Sequence, residues 1–193
     1  MGNSFANYPS LRGKNILITG GASGIGKELV KGFAEQGSNV AFLDVNYKAG
    51  ERLSLDTGEN VFFQKCDLKK VGNLKSSIEK LRAKIGLFDV LVNNAAHDDR
   101  HNWQEVTEAY WDERFATNLR HQFFTIQSVA KDMIQKGGGS IVNIGSNSWM
   151  EAVGNFPAYA TAKSAVHGLS RTLARDLGKH RIRVNTVVPG WIM

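Results

Sequence analysis

Asn15-Ile16-Leu17-Ile18-Thr19-Gly20-Gly21-Ala22-Ser23-Gly24-Ile25-Gly26 is the stretch that decides the fold of this 193-residue chain. An apolar, β-branched run ends at Thr19, a glycine-rich turn follows, and a helical pattern begins beyond it, which reads as a buried strand feeding a helix. The alternation continues along the chain. Strand candidates fall at 15–19, 39–44, 60–66, 90–93, 140–145 and 183–188, nearly continuous in Val, Ile, Leu and Phe, as strands covered on both faces should be. Between them, Val71, Leu74, Ile78, Leu81 and Ile85 form one apolar stripe at helical spacing. Leu119, Phe123, Ile126, Ala130 and Met133 form another, and Ala162, Ala165, Leu169, Leu173 and Leu177 a third.

Strand–helix alternation repeated this often requires right-handed crossovers between parallel strands. It predicts an α/β fold: a Rossmann-type doubly wound parallel sheet, strand order 3-2-1-4-5-6, in three αβα layers. No internal repeat, low-complexity tract or linker interrupts it, so residues 1–193 read as a single domain with residues 1–13 as a surface arm.

Composition narrows the classes. The net charge is +6, yet basic residues are interleaved with acids, as in Lys27-Glu28 and Glu113-Arg114, which reads as a solvated surface with no nucleic-acid partner. No stretch is apolar enough to span a bilayer, no signal-peptide core is visible, and Ala6 spoils the myristoylation pattern begun at Gly2. The lone Cys66 excludes an internal disulfide and reads as a small buried hydrophobe. A cytoplasmic location is expected.

In a parallel sheet the glycine turn lies at the carboxyl end of the strands. Gly20, Ser23, Gly24, Ile25 and Gly26 let the backbone approach a pyrophosphate, and the helix start supplies free N–H groups and a positive dipole end. Asp44 ends the second strand, eighteen residues after Gly26. A carboxylate there accepts hydrogen bonds from adenosine ribose hydroxyls and repels a 2′-phosphate, and no Lys or Arg lies within 19–26. NAD is therefore expected over NADP, with Lys48 the nearby residue that argues the other way and a strand-end turn the simpler use of Asp44.

Tyr159 and Lys163, four apart behind Pro157, share one face at the start of a helix. A nearby ammonium, with the charge of an oxidised nicotinamide, favours a phenolate that could act as a base. Ser146, just past the fifth strand, could hydrogen-bond the reacting oxygen.

This ordered set resembles the short-chain dehydrogenase/reductase family from about Leu11 to Met193: the turn at Thr19–Gly26, Asp67, Asn93-Asn94-Ala95-Ala96, Asn118, Ser146, Tyr159, Lys163 and Pro189-Gly190. Ala96 stands where the family usually has Gly. The resemblance implies Asn118, Ser146, Tyr159 and Lys163 as catalytic, with Asn118 anchoring a water in a proton relay. It implies Asp67 and Leu68 at the adenine, and Asn93, Asn94, Ala95, Pro189, Gly190 and Ile192 along the cofactor, with Lys163 on the nicotinamide ribose.

Substrate choice should lie in the loops at the strands' carboxyl ends. His97-Asp98-Asp99-Arg100-His101 lacks the spacing that converges on a metal ion and reads as a charged loop beside substrate. Ser146, Ser148, Trp149, Tyr159 and Trp191 are the candidate substrate residues, since a tryptophan suits the apolar face of a sugar or any flat ligand. The stretches 93–101, 118–124 and 189–193 resemble the aldose 1-dehydrogenases within the family, which implies oxidation of an anomeric C1 hydroxyl to a lactone. Another alcohol or ketone, of the 3-oxoacyl or steroid type, is the alternative within the class.

The resemblance also implies helices at 107–136 and 157–178 packed across a homo-oligomer interface, dimer or tetramer. Family members continue past the Pro-Gly turn with a lid, a helix and a last strand. The expectation is thus a shortened chain whose sixth strand is an exposed edge. A cofactor-binding fragment of impaired activity stands beside the enzyme as a second reading.

Overall fold

The computed structural model describes residues 6–190. Six parallel strands, β1 (Asn15–Thr19), β2 (Asn39–Asp44), β3 (Val61–Lys65), β4 (Val90–Asn93), β5 (Gly139–Ile144) and β6 (Ile182–Val187), form one sheet in the order β3-β2-β1-β4-β5-β6. Ile16 stands between Val40 and Val90 in register, which places β1 at the centre with all five of its residues buried. Helices α1 (Gly24–Glu35), α2 (Tyr47–Thr57), α3 (Val71–Ile85), α4 (Glu108–Phe115), α5 (His121–Gln135) and α6 (Pro157–Gly178) cover it.

The two-residue period of each strand sorts its side chains between two cores. Leu17, Leu43, Leu91 and Ile141 meet Leu74, Ile78, Leu81, Ile126 and Met133 of α3 and α5. Ile16, Ile18, Val40, Phe42 and Val92 meet Val30 and Leu53 of α1 and α2. Cys66 joins the first core, and burial pushes its thiol up, away from reactivity. At roughly 25 cal/mol per Å² of apolar surface, burial on both faces is what holds the sheet.

One helical stripe does not continue as its spacing predicts. Between α4 and α5 the chain makes a π-helical turn at Ala116–Arg120. Leu119 lies within this turn, whereas Phe123 belongs to α5 and stands on the flank of the stripe it shares with Ile126, Ala130 and Met133. Ile126, Ala130 and Met133 go inward, whereas Phe123 is 40% exposed. Phe123 and Leu119 line an outer groove with Phe115, Phe124, Ala165 and Leu169.

Candidate active site

Parallel strands deliver their carboxyl ends to one side of the sheet, and the expected site residues gather there. Thr19 is the staple. Its buried hydroxyl accepts the amides of Asn94 and Ala95 at 3.0 and 3.1 Å, tying β1 to the end of β4. The Asn94 amide donates to the carbonyls of Thr19 and Gly20 at 3.1 and 3.0 Å, fixing the turn. Gly20 has φ +68°, and a Cβ there would stand 2.7 Å from Ala95 Cα; one at Gly26 would stand 1.9 Å from the Gly20 carbonyl oxygen. Only glycine allows this close approach.

Two observations test whether the turn fits a dinucleotide. A Cβ at Gly24 would meet nothing within 4 Å, so open space lies over the turn. Ser23 makes no side-chain cap, and the Lys27 N–H, bonded to the Ser23 carbonyl at 3.1 Å, begins the helical ladder. The amides of Gly24, Ile25 and Gly26 precede that ladder at the edge of a long groove, where an anion would meet them. The groove runs past Asp44, Asp67, Leu68 and Ala95 to Pro189. The residues present fit the group.

Asp44 does more than sequence reasoning asked of it. Its two oxygens accept the amides of Ala22 and Asn46, each at 2.9 Å, so it also shapes the strand-end turn. A carboxylate has about four acceptor positions, and capacity for ribose hydroxyls remains. Asn93 is placed differently from the expectation. It is fully buried, its amide donates to Asn143 Oδ1 at 2.9 Å, and it spans β4 to β5 beneath the groove. The pleat points Asn93 inward and leaves Asn94 at the turn.

The catalytic candidates do converge. Tyr159 lies on the first turn of α6, where Ser146 is close enough to lower the proton affinity of its phenol. The Ser146 hydroxyl donates to Ser148 Oγ at 2.9 Å. Lys163, one turn further, is buried with Nζ 2.7 Å from the Ile144 carbonyl and 5.7 Å from the centre of the Tyr159 ring. Burial pushes the lysine down to about 8, with Asp98 opposing. In the chain alone the Tyr159 phenol is raised, chiefly by burial, so the lysine by itself does not produce the phenolate expected from the sequence. The physical reason is geometric: Lys163 is drawn back to the Ile144 carbonyl.

Asn118 sits inside the π-turn with its side chain fully engaged. Oδ1 accepts the His97 amide at 2.8 Å, and Nδ2 donates to the carbonyls of His97 and Arg114 at 3.1 and 3.0 Å. Its backbone carbonyl accepts the Gln122 side-chain amide at 3.2 Å and keeps a second lone pair for a water. Trp149 is 36% exposed and meets His167 edge-on at 5.3 Å, which occupies one edge of a ring expected to face substrate. Gly190 is adjacent to Asn147, while Trp191 and Ile192 lie outside the described residues.

His121 was not singled out by the sequence, and His97 and His101 were read only as parts of a charged loop. His121 is fully buried with Nε2 3.1 Å from the Ala95 carbonyl, and burial together with Lys163 pushes it down to about 4. It is therefore neutral, and Lys163 is the nearby cation. His97 pairs with buried Arg114, whereas His101 pairs with Tyr110, so the two loop histidines have separate partners. Helical phase alone finds none of these, because each is set by how the segment after β4 packs on α4 and α5.

The fold and site together define an oxidoreductase domain built around a nicotinamide dinucleotide. A family profile described as short chain dehydrogenase matches residues 14–193. The chain is 46% identical over 190 residues to "D-xylose 1-dehydrogenase" of Caulobacter vibrioides, covering 97% of this chain and 75% of that one. It is 44% identical over 192 residues to "Probable galactose dehydrogenase" of Rhizobium meliloti, with the same coverage. The crystal structure of a "putative short-chain alcohol dehydrogenase" from Sinorhizobium meliloti superposes with a TM-score of 0.89 at 30% identity, over 94% of this chain and 73% of that one. This chain belongs to the short-chain dehydrogenase family.

Proposed function

We propose that this chain, as a single domain, oxidises the C1 hydroxyl of an aldose to a lactone using NAD. The observation that carries the reading is the gathering of Tyr159, Ser146 and Lys163 at the carboxyl side of the sheet, within the field of Asp98, which also lines the groove that begins at the glycine turn. The names of the two bacterial sugar dehydrogenases support the substrate class.

A nicotinamide dinucleotide, which the glycine turn, Asp44 and Lys163 would hold, would supply the acceptor for the hydride leaving the substrate carbon. Ser146 orients the reacting hydroxyl, and Tyr159 takes its proton. Lys163 keeps one N–H on the Ile144 carbonyl, and its others would hold the nicotinamide ribose. With its proton affinity lowered to about 8, it holds or releases a proton near neutral pH. Relay to solvent passes the backbone carbonyl of Asn118. Asp44 selects NAD by accepting ribose hydroxyls and repelling a 2′-phosphate. Ser148 and Trp149 border the substrate end, and Asp67, Leu68 and Pro189 border the cofactor.

A panel of aldoses, polyols and ketones assayed with NAD and NADP tests this reading. Turnover of xylose or galactose, with kcat/KM favouring NAD and the preference narrowing in Asp44→Ser, is the expected result. Turnover confined to ketones or acyl thioesters would move the substrate to the 3-oxoacyl or steroid class, and NAD binding without any turnover would favour a cofactor-binding fragment.

The reading extends to a cytoplasmic homo-oligomer, dimer or tetramer, in which a second copy covers the apolar groove between α5 and α6. Among the described residues no helix is long and apolar enough to cross a membrane. Phe123 at 40% exposure, beside Leu119 and Leu169, supplies the apolar surface that a symmetric contact buries. A Phe123→Asp variant should sediment as a smaller species than the parent; identical sedimentation would remove this face from the interface.

A further inference from the structure

The loop leaving β4 carries the charged run Asp98-Asp99-Arg100-His101. It is tied to the segment that leads into α6. The His101 amide donates to the Asn155 carbonyl at 2.7 Å, and Arg100 Nη1 donates to the Gly154 carbonyl at 3.1 Å.

The His101 ring makes a further contact. The Ala158 amide donates to His101 Nε2 at 3.3 Å. An amide can only donate, so Nε2 bears the lone pair and the ring proton resides on Nδ1. Nδ1 faces the Asp99 carbonyl at 3.0 Å and the Tyr110 hydroxyl at 2.9 Å. Ala158 is in the first turn of α6, whose amides have no partner within the helix, and Phe156 at the N-cap supplies none. The partner comes instead from 57 residues away. Tyr159 is the next residue.

Arg100 acts on the same turn from the other side. Its guanidinium carbon lies 3.9 Å from the centre of the Phe156 ring. Phe156 is only 3% exposed and stacks on Tyr159, with centroids 5.3 Å apart and planes 24° from parallel. Cation, apolar ring and phenol therefore form one column.

We propose that Arg100 and His101 are positioning residues for Tyr159, Arg100 through the Phe156 ring behind the phenol and His101 through the capped amide of Ala158. The inference rests on Tyr159 as the base. The groups that face the phenol are Lys163 from its own helix, Ser146 from the β5 loop, and Asp98 and Arg100 from the β4 loop. The two loop charges act in opposite directions: Asp98 raises the proton affinity of the phenol and Arg100 lowers it.

The test uses the full chain without cofactor and follows phenolate absorbance against pH, with Tyr159→Phe subtracted to isolate this tyrosine. Arg100→Gln should displace the titration to higher pH, Asp98→Asn to lower pH, and Arg100→Lys should recover part of the first displacement. In steady state His101→Ala should lower kcat by about tenfold while KM for NAD stays within about twofold, as expected for a misplaced reacting group. His101→Gln, which keeps an acceptor, should recover part of that loss. Unmoved titration in Arg100→Gln with unchanged kcat in His101→Ala would overturn the proposal. So would a lowered unfolding midpoint with titration and kcat both unchanged. Should Tyr159→Phe itself retain turnover, the assignment of the base fails, and the absorbance titration still reports whether the column exists.

Discussion

Replacing Tyr159 with Phe is expected to lower kcat by roughly 10²- to 10⁴-fold, the range ascribed to a positioned proton-transfer group, while leaving NAD binding within a few-fold of the parent. The two effects separate because the phenol and the dinucleotide cradle are built from different elements. The cradle is the turn after β1, held by Thr19 and Asn94, and the phenol stands on α6. Phe conserves the ring that stacks on Phe156 and removes only the phenol oxygen. Stability should change by no more than about 1 kcal/mol, the scale of a single net polar contact. Because burial raises the phenol in the chain alone, the parent's oxidation rate should climb as pH rises toward the alkaline range, and the variant's residual rate should lose that rise. Turnover with saturating sugar and NAD, beside NAD titration by fluorescence, measures both quantities. A kcat within about threefold of the parent would remove Tyr159 from its assigned role.

What the sequence made legible follows from what periodicity encodes. The limits of β1, β2 and β4 are those predicted, and β3, β5 and β6 differ by one residue at either end. A strand covered on both faces is an apolar run that loops cannot imitate. The glycine turn was equally legible, since a Cβ at Gly20 or Gly26 meets backbone atoms that have no room to move. Asn93 was assigned to the cofactor by motif adjacency. Strand alternation places it under the sheet surface, opposite Asn143 in register. The π-turn left no signature in composition, and it separated Leu119 from a stripe it appeared to join, while Phe123 stands on that stripe's exposed flank. His101 was read as part of a charged loop because its partner, the Ala158 amide, is a backbone group with no sequence identity of its own. Motifs locate the reacting groups. The contacts that orient them come from chain crossings that only the fold supplies.

Lys163→Met should separate function from stability at the same site. Lys163 is almost wholly buried, and its proton affinity falls from 10.5 to about 8. Its folded-state value lies below its unfolded value, so between these two pH values the unfolded chain binds the extra proton. Stability supplied by this site therefore rises as pH climbs from about 8 to 10.5, and below that window the buried charge is a standing cost. At 1.36 kcal/mol per pH unit that cost is about 3 kcal/mol. Met has a comparable length and no charge to desolvate, yet it leaves the Ile144 carbonyl without the donor now at 2.7 Å, which returns about 1–2 kcal/mol. The net expectation is a variant more stable than the parent by about 1–2 kcal/mol near neutral pH, an advantage that shrinks and then reverses as the medium becomes alkaline. Activity should fall by at least about 10²-fold, because the phenol loses its adjacent cation. Urea unfolding of parent and variant from about pH 7 to about pH 10 reads the first effect. A stability difference that does not vary with pH would show that Lys163 is not charged at a desolvation cost. A gain in stability with a loss of turnover would identify this lysine as a group retained for chemistry against the preference of the core around it.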